Sequence, residues 1–211
     1  MQVKMFRDIV IPQDNEMEFI EVASRLGIKK LYFMYQFDEY NEKRIQEKLS
    51  SVRNDSNITL QVGFIVSQNN INAAFAKSKI IVVKSSDKDK IFIENSQVKI
   101  IFGFEELQKK DYLLQRASGL NHVMCELARK NNISIGLSYS SLLHKNNHTT
   151  ALIIGRMMQN IKLCRKYKID TVIGAFSETP LDLRAPNDLI SLFIILGMSG
   201  KNIKESLIGE I

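Results

Sequence analysis

Arg116, Ser118, Gly119, Asn121 and His122 crowd the start of an amphipathic stretch, "RASGLNHVMCELARK" (116–130). A serine before a helix can cap it, and a glycine lets the chain turn in tightly. The first backbone N–H groups of the helix then face outward between an arginine and a histidine, an arrangement that can hold a phosphate. A plain serine cap beside a surface histidine fits the same residues, and the pattern leaves both readings open. Leu120, Val123, Met124, Leu127 and Ala128 recur at helical spacing and predict the buried stripe. His122, Glu126 and Arg129 point away from it.

A second helix is predicted around 150–168, with a stripe of Ile153, Ile154, Met157, Met158, Ile161 and Cys164. Gly155 within it costs about 1 kcal/mol against alanine, which implies close approach of a neighbour. Gln159, Lys162 and Lys166 gather on the opposite face, while Arg165 projects near the stripe with its stem expected to be buried. Basic residues in the last turn also suit the helix dipole. Arg184 sits in the turn before Pro186, which starts another helix. It is open to a ligand or to pairing with Asp182 or Asp188.

Charge singles out the same region. Residues 111–170 hold nine basic side chains (Arg116, Arg129, Lys130, Lys145, Arg156, Lys162, Arg165, Lys166 and Lys168) against three acidic ones, a surplus equal to the +6 of the whole chain. An excess confined to one segment points to a polyanion partner, with a solvated basic surface as the plain alternative.

Other chemistries find little support. His144 and His148 are four apart, but "HKNNH" reads as a loop or helix start without matching carboxylates or cysteines, and no histidine stands on a strand. No metal site is expected. There is no G-x-S-x-G elbow, no phosphate loop, and no glycine-rich fingerprint after the first strand. Cys125 and Cys164 read as buried thiols in a reducing compartment. "NHT" (147–149) without a secretory signal reads as a chance sequon. The most apolar run, 189–198, is too short to span a bilayer, so a soluble cytoplasmic protein is expected.

The elements that must position these residues alternate strand and helix. Strands are predicted at 3–11, 29–37, 57–67, 79–86, 98–104, 133–138 and 170–176, each followed by a helix. Asp14 is expected to cap the first helix and Gly27 to close it. Such alternation implies parallel strands with right-handed crossovers. Over 211 residues it favours an α/β fold in one domain spanning 1–211: a TIM-like (β/α) barrel of about seven parallel strands.

Three blocks carry a resemblance. "RASGLNHVMCELARKNNISIGLSYSSLL", "GRMMQNIKLCRKYKI" and "DLRAPNDLISLFIILGMS" look like the signature blocks of the ribonuclease P protein component 3 family, archaeal counterpart of the thirty-kilodalton protein subunit of eukaryotic ribonuclease P. The resemblance implies a barrel related to the metal-dependent polymerase-and-histidinol-phosphatase superfamily, without that superfamily's metal-binding histidines. It implies a non-catalytic subunit of the ribonucleoprotein that removes the 5′ leader from precursor tRNA. The catalytic RNA, with Mg2+, would perform the chemistry. The partners implied are ribonuclease P RNA, a small protein subunit of ferredoxin-like fold, other ribonuclease P proteins and, indirectly, precursor tRNA; no membrane is implied. Matched to the blocks, Arg116, Ser118, Asn121, His122, Arg156, Asn160, Arg165, Lys166 and Arg184 are expected to contact RNA or shape an interface, and Arg129 and Lys162 join them from the basic surface. Met158 stands where a polar or basic residue is expected, one phosphate contact fewer. A stand-alone metal-dependent phosphoesterase on the same barrel is the alternative.

Overall fold

A computed structural model describes residues 5–53 and 57–210. Seven strands form one parallel sheet in chain order: β1 (Arg7–Val10), β2 (Lys30–Gln36), β3 (Thr59–Ile65), β4 (Ile81–Lys84), β5 (Ile100–Phe102), β6 (Ser134–Ser138) and β7 (Thr171–Gly174). Eight helices connect and follow them: α1 (Glu16–Arg25), α2 (Glu42–Arg53), α3 (Ile71–Lys77), α4 (Asp89–Ile93), α5 (His122–Lys130), α6 (Asn147–Tyr167), α7 (Pro186–Ile195) and α8 (Gly200–Ile208). Every predicted strand is present, trimmed at its ends; positions 3 and 4 of the first lie outside the described residues. The fold is the TIM-like barrel of seven parallel strands. Asn15, not Asp14, precedes α1; Asp14 adopts a left-handed φ of 62° and instead binds Arg44 and Lys48.

The barrel is nearly closed. Between β7 and β1 a single bridge joins Val10 to Ser177, flanked by Phe176 N–H donating to Ile9 O at 2.7 Å and Ile11 N–H to Ser177 O at 2.9 Å. Where that ladder stops, Asp8 takes over: its Oδ1 accepts from Ala175 N–H at 2.6 Å and from Ile9 N–H at 2.7 Å. Burial pushes the Asp8 carboxyl up to about 6, against those two hydrogen bonds and the charge of Arg7, which all pull it down.

Strand alternation sorts the core. Ile9, Tyr32, Met34, Ile100, Phe102 and Phe176 fill the barrel interior. Val10, Leu31, Phe33 and Ile135 face the helices, and Leu137 and Ile173 meet α6, α7 and α8. On β6 the side opposite Ile135 and Leu137 carries Gly136, where a Cβ would stand 2.6 Å from Phe102 Cβ and 3.1 Å from the Phe176 ring. Glycine there leaves room for those rings to stack at 4.4 Å between centroids, a floor under the C-terminal mouth. Among the described residues no helix is long and apolar enough to cross a membrane.

Candidate nucleic-acid interface

In a βα repeat the helices run back along the strands, so helix N-termini lie at the C-terminal mouth. The start of α5 and the segment before it therefore sit at that end. Gly119 adopts φ +83° and passes so close to Phe104 that a Cβ would lie 2.7 Å from its carbonyl oxygen. That left-handed residue keeps the helix from starting at 119. The cap is accordingly Asn121, whose Oδ1 accepts from Met124 N–H at 3.0 Å. Ser118, expected as the cap, is 2% exposed and its hydroxyl has no hydrogen-bond partner among the described residues. Within α5 Cys125 enters the core while Val123 is 48% exposed, so the buried stripe is narrower than the sequence implied. His122, Glu126 and Arg129 do face outward. Asn121→Ala is expected to cost about 1 kcal/mol in urea denaturation, and Ser118→Ala to change stability by less than about 0.5 kcal/mol, since no bond is broken. The opposite ranking would restore Ser118 as the cap.

Beneath this surface lies a buried polar network. Arg156 on α6 is 2% exposed. Its Nε donates to Asp111 Oδ1 at 2.7 Å, and its Nη1 donates to the carbonyls of Glu105 at 2.9 Å and Gln108 at 2.6 Å. One turn on, Asn160 Nδ2 donates to Glu105 Oε1 and to Ser118 O, each at 2.8 Å. Glu105 is fully buried, and burial pushes its carboxyl up to about 7 against the Asn160 hydrogen bond. Arg156, Asn160 and Ser118 were expected to contact RNA or shape an interface; buried as they are, direct contact is ruled out by access. What Arg156 and Asn160 do is tie α6 to the segment 105–118.

Arg116 is different. Its side chain is 49% exposed, lies 3.9 Å from Asp111 Oδ2, and packs flat enough on α6 that a Cβ on Gly155 would fall 1.9 Å from its Nη1. The helix glycine is thus the seat of an exposed guanidinium. Asp111, held by buried Arg156 and accepting also from Ala117 N–H at 2.9 Å, steadies it. Arg184 pairs with neither Asp182 nor Asp188. Its Nη1 donates to the carbonyls of Leu181 and Leu183, both at 2.8 Å, and its guanidinium lies 5.3 Å from the Tyr139 ring centroid.

At the other end of the helical layer the last turns of α5 and α6 carry Arg129, Lys130, Lys162, Arg165, Lys166 and, just past α6, Lys168. All six are exposed, and among the described residues none forms an ion pair with a carboxylate. Arg165 was expected to bury its stem near the stripe, yet the residue is exposed; with Lys168 it edges a cleft of about 500 Å³ at the N-terminal end of the barrel. The predicted cations are therefore spread out: Arg116 lies against Gly155, well inside α6, Arg184 against Tyr139, and Lys162, Arg165, Lys166 and Lys168 toward the end of α6. Between Gly155 and Lys162 to Lys168 the helix advances about 10–20 Å. Met158 is half-buried against the core cluster that α6 shares with α7 and α8.

The barrel mouth itself is lined with hydroxyls. Ser138 and Ser140 hydrogen-bond each other at 3.0 Å, and Ser177 donates to Asp182 at 2.6 Å. His144 lies there too, its Nε2 2.8 Å from Asp182 Oδ1, whereas His148 stands in the first turn of α6. Among the described residues no group of three or more His, Cys, Asp or Glu is placed to hold a metal ion. Cys125 and Cys164 are buried free thiols.

The sequence model of the RNase P subunit p30 family matches residues 5–210. The chain belongs to that family. Ribonuclease P protein component 3 of Methanothermobacter thermautotrophicus is 25% identical over 201 residues, covering 92% of this chain and 80% of the relative. The same component of Methanococcus vannielii is 30% identical over 140 residues, 64% of this chain and 59% of that relative's length. In a cryo-EM structure of archaeal ribonuclease P with mature tRNA, one chain superposes with a TM-score of 0.80 at 21% identity, covering 95% of this chain and 87% of that one. An amidohydrolase superposes with a TM-score of 0.56 at 7% identity, a likeness of fold.

For this p30-family chain, sequence reasoning passed over Asp111 and Glu105. Both come from the segment after β5, and both act on α6 from 45 to 55 positions away. One signal was available: Arg156 and Asn160 fall three and seven positions after Ile153, on the same helical face as Met157, Ile161 and Cys164.

Proposed function

We propose that this chain is a non-catalytic protein subunit of ribonuclease P, the ribonucleoprotein that removes the 5′ leader from precursor tRNA. The RNA component, with its own Mg2+, carries out the hydrolysis in the cytoplasm. The chain binds ribonuclease P RNA through phosphates and helix shape, because double-helical RNA offers side chains little base readout. It works beside a small ferredoxin-like protein subunit and other ribonuclease P proteins. The observation that carries this reading is the set of six exposed cations toward the ends of α5 and α6, without carboxylate partners among the described residues, in a chain of the p30 family.

Cleavage of precursor tRNA by ribonuclease P RNA reconstituted with and without this chain is the deciding experiment; no stimulation ends the reading. In direct RNA titrations, neutralising about five phosphates gives log affinity against log salt a slope near −3.5 to −4.5. Arg116→Ala should lower the size of that slope by about 0.7–0.9. Gly155→Ala should do the same by displacing the guanidinium, while gaining up to about 1 kcal/mol of helix stability. A flat salt response, or a Gly155→Ala chain that binds RNA like the wild type, removes the electrostatic argument at the respective place.

A further inference from the structure

The excursion between β5 and α5 ends in bare aliphatic side chains. Leu113 is 99% exposed and Leu114 96%, with Tyr112 beside them at 66%. A loose loop would give such residues no fixed place. This one is held at both ends by a single buried arginine: Arg156 grips the carbonyls of Glu105 and Gln108 and the carboxylate of Asp111, and Asp111 in turn accepts from Ala117 N–H. Tyr112 N–H donating to Gln115 O at 2.9 Å closes the tip.

We propose that the Tyr112–Leu114 tip is a docking knob for a partner protein whose surface offers an apolar pocket rimmed by carboxylates. Three features argue for that occupant. Aliphatic side chains gain nothing from a phosphate surface, and an exposed apolar cluster marks a protein contact. The knob's own rim is cationic: Lys109 and Lys110 are exposed beside it, while its one carboxylate, Asp111, is taken up internally. That rim favours an acidic partner, and it repels a second copy of the same knob. A tip already held in place also loses little freedom on binding, which favours affinity.

The inference rests on the ribonuclease P reading for its probe, the ferredoxin-like protein subunit. The full chain is titrated by calorimetry against that purified subunit, and separately against ribonuclease P RNA alone. Leu113→Ser/Leu114→Ser should weaken protein binding about tenfold or more with an unchanged melting temperature and unchanged RNA affinity. Lys109→Glu/Lys110→Glu should weaken it too, and more so at low salt than at high. A wild type that fails to bind the subunit overturns the inference, and if it also fails to stimulate cleavage the functional reading goes with it. A wild type that binds and a double-serine chain that binds equally well overturn the inference alone. Loss of RNA binding with protein binding intact would make the tip an RNA contact, and loss of self-association in sedimentation would make it a homodimer contact; either result overturns it.

Discussion

Replacing Arg156 by methionine should destabilise the fold by about 3–5 kcal/mol, the cost of removing one partner from a buried, hydrogen-bonded ion pair. Methionine fills similar volume, so little of the loss comes from a cavity. What is lost is the set of three donated hydrogen bonds. Two carbonyls and the part-buried Asp111 carboxylate are left short of a donor. Arg156→Lys should recover little, because an ammonium cannot present the same fork to Glu105, Gln108 and Asp111. The loop supplies a second readout. With the pin gone, trypsin should cut after Lys109, Lys110 or Arg116 in native conditions much faster than in the wild type. A denaturation midpoint within about 1 kcal/mol of wild type, with unchanged proteolysis, would show that the network holds nothing together.

That network also marks where the sequence stopped being legible. The strands could be read because parallel strands buried on both faces appear as short apolar runs, aromatic-rich in "KLYFMYQ" and β-branched in "IVVK". Gly27 at φ +75° and Pro186 at the first turn of α7 ended and began helices where those residue types predict. The stripe on α6 was read from its hydrophobic residues, which include the half-buried Ile154 and Met158 and leave out Arg156 and Asn160. The actual buried face follows the helical repeat through Ile153, Arg156, Met157, Asn160, Ile161 and Cys164. A buried arginine is tolerable only with partners, and those partners sit 45 to 51 positions back in a loop without periodicity. No local pattern announces them. The same holds for the cap: Ser118 and Asn121 are equally good residue types, and the choice is made by the contact of Gly119 with Phe104. Composition did locate the exposed cations of α5 and α6, because a charge surplus needs no knowledge of the fold.

The pH dependence of stability is expected to be set largely by two buried carboxyls that stand apart from that charge. Burial holds Asp8 at about 6 and Glu105 at about 7, against ordinary carboxylate values near 4. In both cases the folded state keeps its proton to higher pH than the unfolded chain does. The stability each contributes is therefore complete below about pH 4 and is lost as pH rises through 6 for Asp8 and through 7 for Glu105. Asp8→Asn retains an oxygen to accept from Ala175 and Ile9, and removes the ionisation. Its stability relative to wild type should rise between pH 4 and 7 by roughly 2–3 kcal/mol and then level off. Glu105→Gln keeps an acceptor for Asn160 and should gain a similar amount, with the rise displaced about one unit toward alkaline pH. The displacement separates the two sites: Asp8 closes the seam between β7 and β1, whereas Glu105 lies under the loop that Arg156 holds. Urea denaturation of wild type and both variants from pH 4 to 8.5 reads the effect directly. Profiles that stay parallel across that range would mean that both carboxyls ionise in the folded protein as freely as in the unfolded chain, and that the seam is sealed by a full negative charge.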